Sequence, residues 1–221
     1  MLISKSPRRP LKDTADKNII IVDDLPKLRD MIRVMLRNNG YNSLTIAGSG
    51  NQALRNVMAK PTDLVITDWQ MPNMDGIELL MQMKNDPNLF HIPVIIMSED
   101  RTENKVLYAI EEGADGFLIK PFNENDLLSN VRLALNKDEF KDERELKVVE
   151  MRRLKLTKKY REAVHLGFEI LAKGPNQRVT MMMCDCHYQL EEYDKAITMI
   201  TDTEEGGQSS EYSNLLGVCR T

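Results

Sequence analysis

Residues 18–24 read NIIIVDD, and a similar composition returns in DLVITD at 63–68 and in PVIIMS at 93–98. Each stretch is short, β-branched and apolar nearly throughout, which is typical of a strand that a sheet buries on both faces. Two further short runs share part of this character, SLTIA at 43–47 and GFLIK at 116–120. We therefore predict five β-strands between residues 18 and 120.

The segments between these runs have a helical period. In the first of them, 26–39, the apolar residues Leu28, Met31, Ile32, Met35 and Leu36 fall at helical spacing, and Gly40 follows as a helix-capping glycine would. Strand then helix, five times over, predicts right-handed crossovers and an α/β fold, a doubly wound five-stranded parallel sheet with helices on both faces. The remaining predicted helices cover 50–59, 76–85 and 103–113, and a fifth starts at Asn123 and includes Leu135.

Polar and charged residues stand at the carboxyl ends of the predicted strands. The first strand ends in Asp23 and Asp24, the third in Asp68, the fourth in Ser98 and the fifth in Lys120. Because ligands of open parallel sheets bind beyond the carboxyl ends of the strands, we expect these side chains to share one crevice. Three crowded carboxylates repel one another by ~1–4 kcal/mol per contacting pair, so they need a cation. All-oxygen ligands suit Mg²⁺.

The motifs IIIVDD, DWQMPNMDG, IIMS and FLIKPF resemble the CheY-like receiver domain of bacterial two-component response regulators, over about residues 18–136. The resemblance implies a flavodoxin-like receiver fold in which Asp68 accepts a phosphoryl group from a sensor histidine kinase or a phosphotransfer protein. It also implies that Asp23, Asp24 and Asp68, with the backbone carbonyl of Gln70, hold Mg²⁺ or its waters.

The same resemblance implies roles for other residues around the crevice. Lys120 pairs with the phosphoryl oxygens, Ser98 hydrogen-bonds the phosphoryl group, and Phe117 is the aromatic switch residue. Gln70 and Asp100, two positions past the phosphoacceptor and the switch hydroxyl, are where the family tunes hydrolysis. The implied protein is a phosphoacceptor rather than an enzyme with a separate substrate. It catalyses its own phosphorylation and hydrolyses the product slowly.

A second region follows the receiver-like one. Residues 137–157 are highly charged and lack Gly and Pro, so we predict a helix that links two domains. KKYREAV at 158–164 then recurs 33 residues later as EEYDKAI at 191–197, which pairs Tyr160 with Tyr193. A period in the low thirties with two helices per unit predicts a helical solenoid.

This second region resembles the tetratricopeptide repeat family. Pro175 stands where the helix of the first copy should stop, and EYSNLLGVC at 211–219 is a partial third copy. The resemblance implies an all-α helical-repeat domain over 158–221 that ends within a unit; a plain bundle of helical hairpins is the alternative. A solenoid offers a groove to a peptide or helix, so we expect an unknown protein partner. A homodimer through the receiver is a further expectation.

Charge and composition exclude several classes of function. The net charge is −4, and residues 141–221 contain 13 Lys and Arg against 14 Asp and Glu, which argues against a nucleic-acid partner. The longest aliphatic run, Ile19–Val22, is far shorter than the roughly 20 residues of a membrane helix. Three cysteines form no disulfide framework, so we expect a cytoplasmic protein. Residues 1–17, rich in Lys and Arg, are expected to be a flexible basic arm.

Two other functions remain open from the residues alone. A receiver followed by a small helical bundle is also the arrangement of RNA-binding antiterminators, although the near-neutral tail and the repeat favour a protein partner. The chain could also be a fragment of a larger regulator whose output domain lies beyond residue 221.

Overall fold

The computed structural model describes residues 16–100, 102–136 and 143–204. The chain divides into two compact units, 1–138 and 139–221. The predicted basic arm lies outside the described residues except at its end. There Lys17 bonds the Asp63 carboxylate at 3.1 Å. No helix among the described residues is long and apolar enough to cross a membrane.

The first unit is a five-stranded sheet with helices on both faces, which confirms the predicted fold class. All neighbouring strands are parallel, in the order β2-β1-β3-β4-β5. The strands are β1 (Ile19–Val22), β2 (Leu44–Ala47), β3 (Leu64–Asp68), β4 (Val94–Ser98) and β5 (Gly116–Ile119). The helices are α1 (Pro26–Asn38), α2 (Gly50–Ala59), α3 (Gly76–Asn85), α4 (Glu103–Glu111) and α5 (Glu124–Leu135).

Side chains alternate between the two faces along each strand, so both faces of the sheet are apolar and each is covered by helices. Ile20 and Val22 of β1 belong to the apolar cluster that packs under α2 and α3, whereas Ile19 and Ile21 belong to the cluster under α1 and α5. Every residue of β1, β3 and β4 is buried, as expected for the central strands of such a sheet.

A buried ion pair fixes the start of β4 beside β5. The Lys84 ammonium donates to the Asp115 carboxylate at 3.0 Å and to the carbonyl oxygens of Phe90 and Ile92. Asp115 also accepts a hydrogen bond from the Val94 amide at 2.9 Å. The pair therefore sets the register of the two strands that carry Ser98 and Lys120 to the site.

The second unit consists of α6 (Glu143–Leu156), α7 (Tyr160–Leu171), α8 (Gln177–Gln189) and α9 (Tyr193–Glu204). Consecutive helices pack on one another. Gly167 of α7 allows the closest approach, because a Cβ there would lie 2.4 Å from the Met183 sulfur of α8. The core that these helices share is apolar and includes Met151, Leu154, Ala163, Ile170, Val179, Met183 and Cys186.

The 33-residue repeat of sequence is also a repeat of backbone geometry. Lys158, before α7, and Glu191, before α9, both have φ 62°, in the left-handed region. At the next position of each turn, the Lys159 amide donates to the Leu154 carbonyl and the Glu192 amide donates to the His187 carbonyl, both at 2.9 Å. The two turns therefore have the same hydrogen-bonding pattern, 33 residues apart.

The segment predicted to be a linker, 137–157, differs from that expectation. Helix α5 ends at Leu135, residues 137–142 lie outside the described part, and α6 begins at Glu143. Met151 and Leu154 of α6 are buried in the core of the second unit. These buried apolar side chains make α6 a structural helix of that unit. The partial third copy at 211–219 also lies outside the described residues.

Candidate functional site

The carboxyl ends of four strands converge at one edge of the sheet. In the register, Val22 lies beside Thr67, Asp68 beside Met97 and Ser98 beside Ile119, so the residues that end these strands are neighbours. A cleft of about 290 Å³ opens there. It is lined by Asp24, Leu25, Asp68, Trp69, Gln70, Ser98, Glu99, Asp100, Lys105 and Lys120.

One ammonium bridges two carboxylates in this cleft. The Lys120 Nζ lies 2.8 Å from the Asp68 Oδ1 and 3.1 Å from the Asp23 Oδ2. The Asp23 side chain is fully buried, and those of Asp68 and Lys120 are each 12% exposed. The ion pairs are therefore shielded from water and weakly screened.

Burial and charge set the ionisation of these groups. Burial raises the pKa of Asp68, and the negative Asp23 adds to the rise, while the Lys120 hydrogen bond opposes it. For Lys120, burial alone would lower the pKa, but the hydrogen bond to Asp68 and the charges of Asp68 and Asp23 raise it above its usual value. The ammonium therefore stays charged, and a further cation would favour the ionised form of Asp68.

Three carboxylates could supply the ligands for such a cation. Asp23, Asp24 and Asp68 each place an oxygen within 4.8 Å of the others, and no other such group of three acidic, His or Cys residues occurs in the described part of the chain. Asp24 is exposed. The cluster therefore opens to water on one side, which suits a metal ion that keeps part of its hydration shell. Gln70 lines the same cleft.

The backbone around the acidic cluster is held by contacts that the sequence did not reveal. The Asp23 Oδ1 accepts a hydrogen bond from the Leu25 amide at 2.8 Å. The Arg29 guanidinium donates to the Asp23 carbonyl. On the other side, the Gly76 amide donates to the Trp69 carbonyl at 2.9 Å. A Cβ at Gly76 would lie 2.0 Å from the Asp68 carbonyl oxygen, so the close approach that supports Asp68 requires glycine.

The Ser98 hydroxyl lies in the cleft, as predicted, and its neighbours form a short network of hydrogen bonds and an ion pair. Ser98 is buried, and its Oγ accepts a hydrogen bond from the Asp100 amide at 3.1 Å. The Asp100 carboxylate accepts from the Thr102 amide and pairs with Lys105 at 3.0 Å. The Thr102 amide, followed by Lys105, lowers the pKa of Asp100 to about 2. Asp100 is therefore ionised and fixed at the rim.

The predicted switch residue lies next to the cleft rather than in its lining. Phe117 packs on the apolar cluster beneath α2 and α3, with its ring edge towards Trp69 at a centroid distance of 6.3 Å. Trp69 also contacts Tyr108 at 6.3 Å. Trp69, the residue after Asp68, therefore contacts rings on both β5 and α4, and no spacing in the sequence could have indicated these contacts.

Comparison with known proteins agrees with this geometry. The family model of the response regulator receiver domain matches residues 19–132, slightly more than half of the chain. The chain therefore belongs to the response regulator receiver family. This confirms the resemblance of the first region.

Individual relatives point to the same family. Chemotaxis protein CheY-3 of Vibrio cholerae is 36% identical over 104 residues, covering 47% of this chain and 80% of that protein. The DNA-binding response regulator MtrA of Mycolicibacterium smegmatis is 33% identical over 127 residues, covering 58% of this chain and 54% of that protein. A chain of the CheX–CheY–BeF₃–Mg²⁺ complex of Borrelia burgdorferi matches with a TM-score of 0.51 and 26% identity, covering 57% of this chain and 90% of that one.

The close approach of Gly76 to Asp68 generates a stability prediction. We expect Gly76→Ala to lower the free energy of unfolding of the first unit by about 1–3 kcal/mol, because the new methyl group must displace the Asp68 backbone. Gly48→Ala is the matched control, since a Cβ at Gly48 would meet only the ends of two flexible side chains, Arg29 at 3.4 Å and Gln52 at 3.8 Å. Denaturant unfolding followed by the fluorescence of Trp69, the single tryptophan, measures both. If the two variants have the same free energy of unfolding, Gly76 is not packed closely against the Asp68 carbonyl.

Proposed function

We propose that this protein is a two-component response regulator in which Asp68 accepts a phosphoryl group from a sensor histidine kinase or a phosphotransfer protein. The observation that carries the proposal is the Asp68 carboxylate itself. It lies at a strand end, with the Lys120 ammonium 2.8 Å away and two further carboxylates within 4.8 Å. Membership of the receiver family supports the same donor class.

The chemistry requires the charges that the cleft contains. A carboxylate oxygen of Asp68 attacks the phosphorus of a phosphohistidine, the phosphorus–nitrogen bond breaks, and the electron pair leaves with the imidazole. An acyl phosphate with a charge of about −2 forms on Asp68. Because the nucleophile and the phosphoryl group are both anionic, positioning and opposite charge dominate the catalysis. Lys120 provides one such charge and follows the phosphoryl oxygens as they come to rest on Asp68.

Mg²⁺ is the cofactor that the donor set fits. Asp23, Asp24 and Asp68 offer carboxylate oxygens, the Gln70 carbonyl completes an all-oxygen set, and the open side leaves room for water and a phosphoryl oxygen. When bound, Mg²⁺ supplies positive charge between the carboxylates and the phosphoryl group. Asp23, which is fully buried and bonded by Lys120, would orient the other ligands, and the exposed Asp24 would be a ligand on the solvent side.

We infer that the residues around the phosphoryl group change their contacts when it is present. In our proposal the Ser98 hydroxyl donates to a phosphoryl oxygen, and Phe117 turns into the space that this movement leaves. Gln70 and Asp100 set the rate of slow self-catalysed hydrolysis, because both line the cleft through which water reaches the phosphorus. The protein thus acts on its own aspartyl phosphate and not on a separate substrate.

The second unit is proposed to be a tetratricopeptide-like output domain that binds protein. The matching turns at Lys158 and Glu191 support a helical repeat. A groove of about 620 Å³ between α7, α8 and α9 is lined by apolar side chains that include Val164, Phe168 and Met199, and of these Phe168 is exposed. An RNA-binding output is less well supported, since the charges of this region balance.

The proposed coupling between the two units has its own test. Beryllofluoride with Mg²⁺ should change the hydrogen exchange of α6 and α7, because in our proposal phosphorylation of Asp68 controls the second unit. Asp68→Asn protein treated in the same way is the control. If exchange changes only in the loops around the cleft and α6 and α7 are unaffected, the repeats are a passive tether.

The phosphoacceptor assignment predicts a simple labelling result. Asp68→Asn should abolish labelling of the protein by acetyl phosphate with Mg²⁺ present, because the amide is not a nucleophile. Asp30→Asn, which changes an exposed carboxylate on α1, should be labelled like the natural protein. Chelation of Mg²⁺ should stop labelling of both natural protein and control. Undiminished labelling of the Asp68 variant would contradict the assignment.

The metal assignment predicts a loss of affinity. Asp24→Ala should weaken Mg²⁺ binding about tenfold or more, in line with the loss expected when a group that supports a metal is removed. Titration of Mg²⁺ against the fluorescence of Trp69, next to Asp68, measures the affinity. Asp30→Ala is the control for a lost surface carboxylate. A Mg²⁺ affinity of the Asp24 variant equal to that of the control would exclude Asp24 as a ligand.

A further inference from the structure

Lys105 is a second cation at the cleft, and no role above uses it. It lies in the first turn of α4 and lines the cleft together with Asp68, Ser98 and Lys120. Its side chain is 33% exposed. No sequence pattern indicates this role for Lys105, because its neighbours in the cleft lie on other strands and loops.

Two contacts hold the Lys105 ammonium at the rim. It lies 3.0 Å from the Asp100 carboxylate and 5.2 Å from the centre of the Trp69 ring, over its face. Asp100 is itself fixed, because its carboxylate accepts from the Thr102 amide at 2.9 Å and its own amide donates to the Ser98 Oγ. The ammonium is therefore held at the rim of the cleft that Asp68 also lines.

The charges of the cleft leave Lys105 available for an anion. Lys120 is shared between Asp68 and Asp23, so its single charge is already divided between two carboxylates. Lys105 has one ion-pair partner among the described residues, the solvent-accessible Asp100. An incoming phosphoryl group carries about two negative charges and so attracts an ammonium more strongly than a single exposed carboxylate does.

We propose that Lys105 is a second phosphoryl-binding cation, which exchanges Asp100 for the phosphoryl oxygens of the donor and then of phosphorylated Asp68. This inference rests on the proposed function of Asp68. Lys105 thereby binds the phosphoryl group, whose negative charge Lys120 alone does not neutralise. Asp100 serves as the resting partner that holds the ammonium in place.

Beryllofluoride, an anionic mimic of the phosphoryl group, tests this with the full chain and saturating Mg²⁺. Lys105→Met should weaken beryllofluoride binding about fivefold, the factor that one unit charge ~4 Å away contributes in a high dielectric. Labelling by acetyl phosphate at subsaturating concentration should slow by a similar factor. Lys105→Arg should restore both, and added salt should shrink the difference between the variants.

A loss of structure would have a different signature. Damage to the acidic cluster would weaken Mg²⁺ binding, whereas loss of the Lys105 charge should leave Mg²⁺ affinity unchanged or slightly tighter. Lys60→Met, at the end of α2, is the control for a lost surface lysine. Lys105→Gln serves as a second neutral variant should the Met variant fold poorly.

The outcomes separate the two proposals. If Asp68→Asn abolishes labelling while neutral Lys105 variants bind beryllofluoride as tightly as the natural protein, Lys105 has no phosphoryl-binding role and Asp68 keeps its own. An Arg variant as weak as the Met variant would also overturn the charge argument. If the natural protein is neither labelled nor bound by beryllofluoride, the proposed function fails and the role of Lys105 fails with it.

Discussion

The Lys120 ammonium, shared between the carboxylates of Asp68 and Asp23, is the interaction on which the rest of the site depends. It holds two buried negative charges together, and one of them is the proposed nucleophile. A single positive charge cannot neutralise both carboxylates, and this is the basis on which we propose a metal ion. The phosphoryl group that we propose for Asp68 would add further negative charge, and Lys105 is a second cation in the lining of the cleft.

The parallel sheet is what brings these groups together. Lys120 and Asp23 are 97 positions apart, yet both follow strands that end at the same edge. The strands themselves position the side chains at their carboxyl ends, so few other contacts are needed to hold the cleft in place. Gly76 is one of them, because it lets α3 begin against the Asp68 carbonyl. The Lys84–Asp115 pair is another, because it sets the strands that deliver Ser98 and Lys120.

Sequence reasoning succeeded where a feature is local. Each strand was visible as an apolar run, and the reactive residues followed those runs directly, so the convergence of Asp23, Asp68, Ser98 and Lys120 was predictable. The contacts of Lys105 with Asp100 and Trp69 could not be predicted in this way, because they join a helix to two separate loops. The segment 137–157 was predicted to be a linking helix, and only its packing against α7 and α8 identifies Met151 and Leu154 as core residues.

The central claim is that Asp68 carries the phosphoryl group, and the most direct measurement locates that group chemically. The whole chain is treated with acetyl phosphate and Mg²⁺, reduced with borohydride, which converts an aspartyl phosphate to homoserine, and mapped by peptide mass spectrometry. The account predicts homoserine at position 68 and unmodified Asp23 and Asp24. Homoserine at either of those two neighbours, or an intact Asp68 in protein that has taken up phosphate, would contradict it.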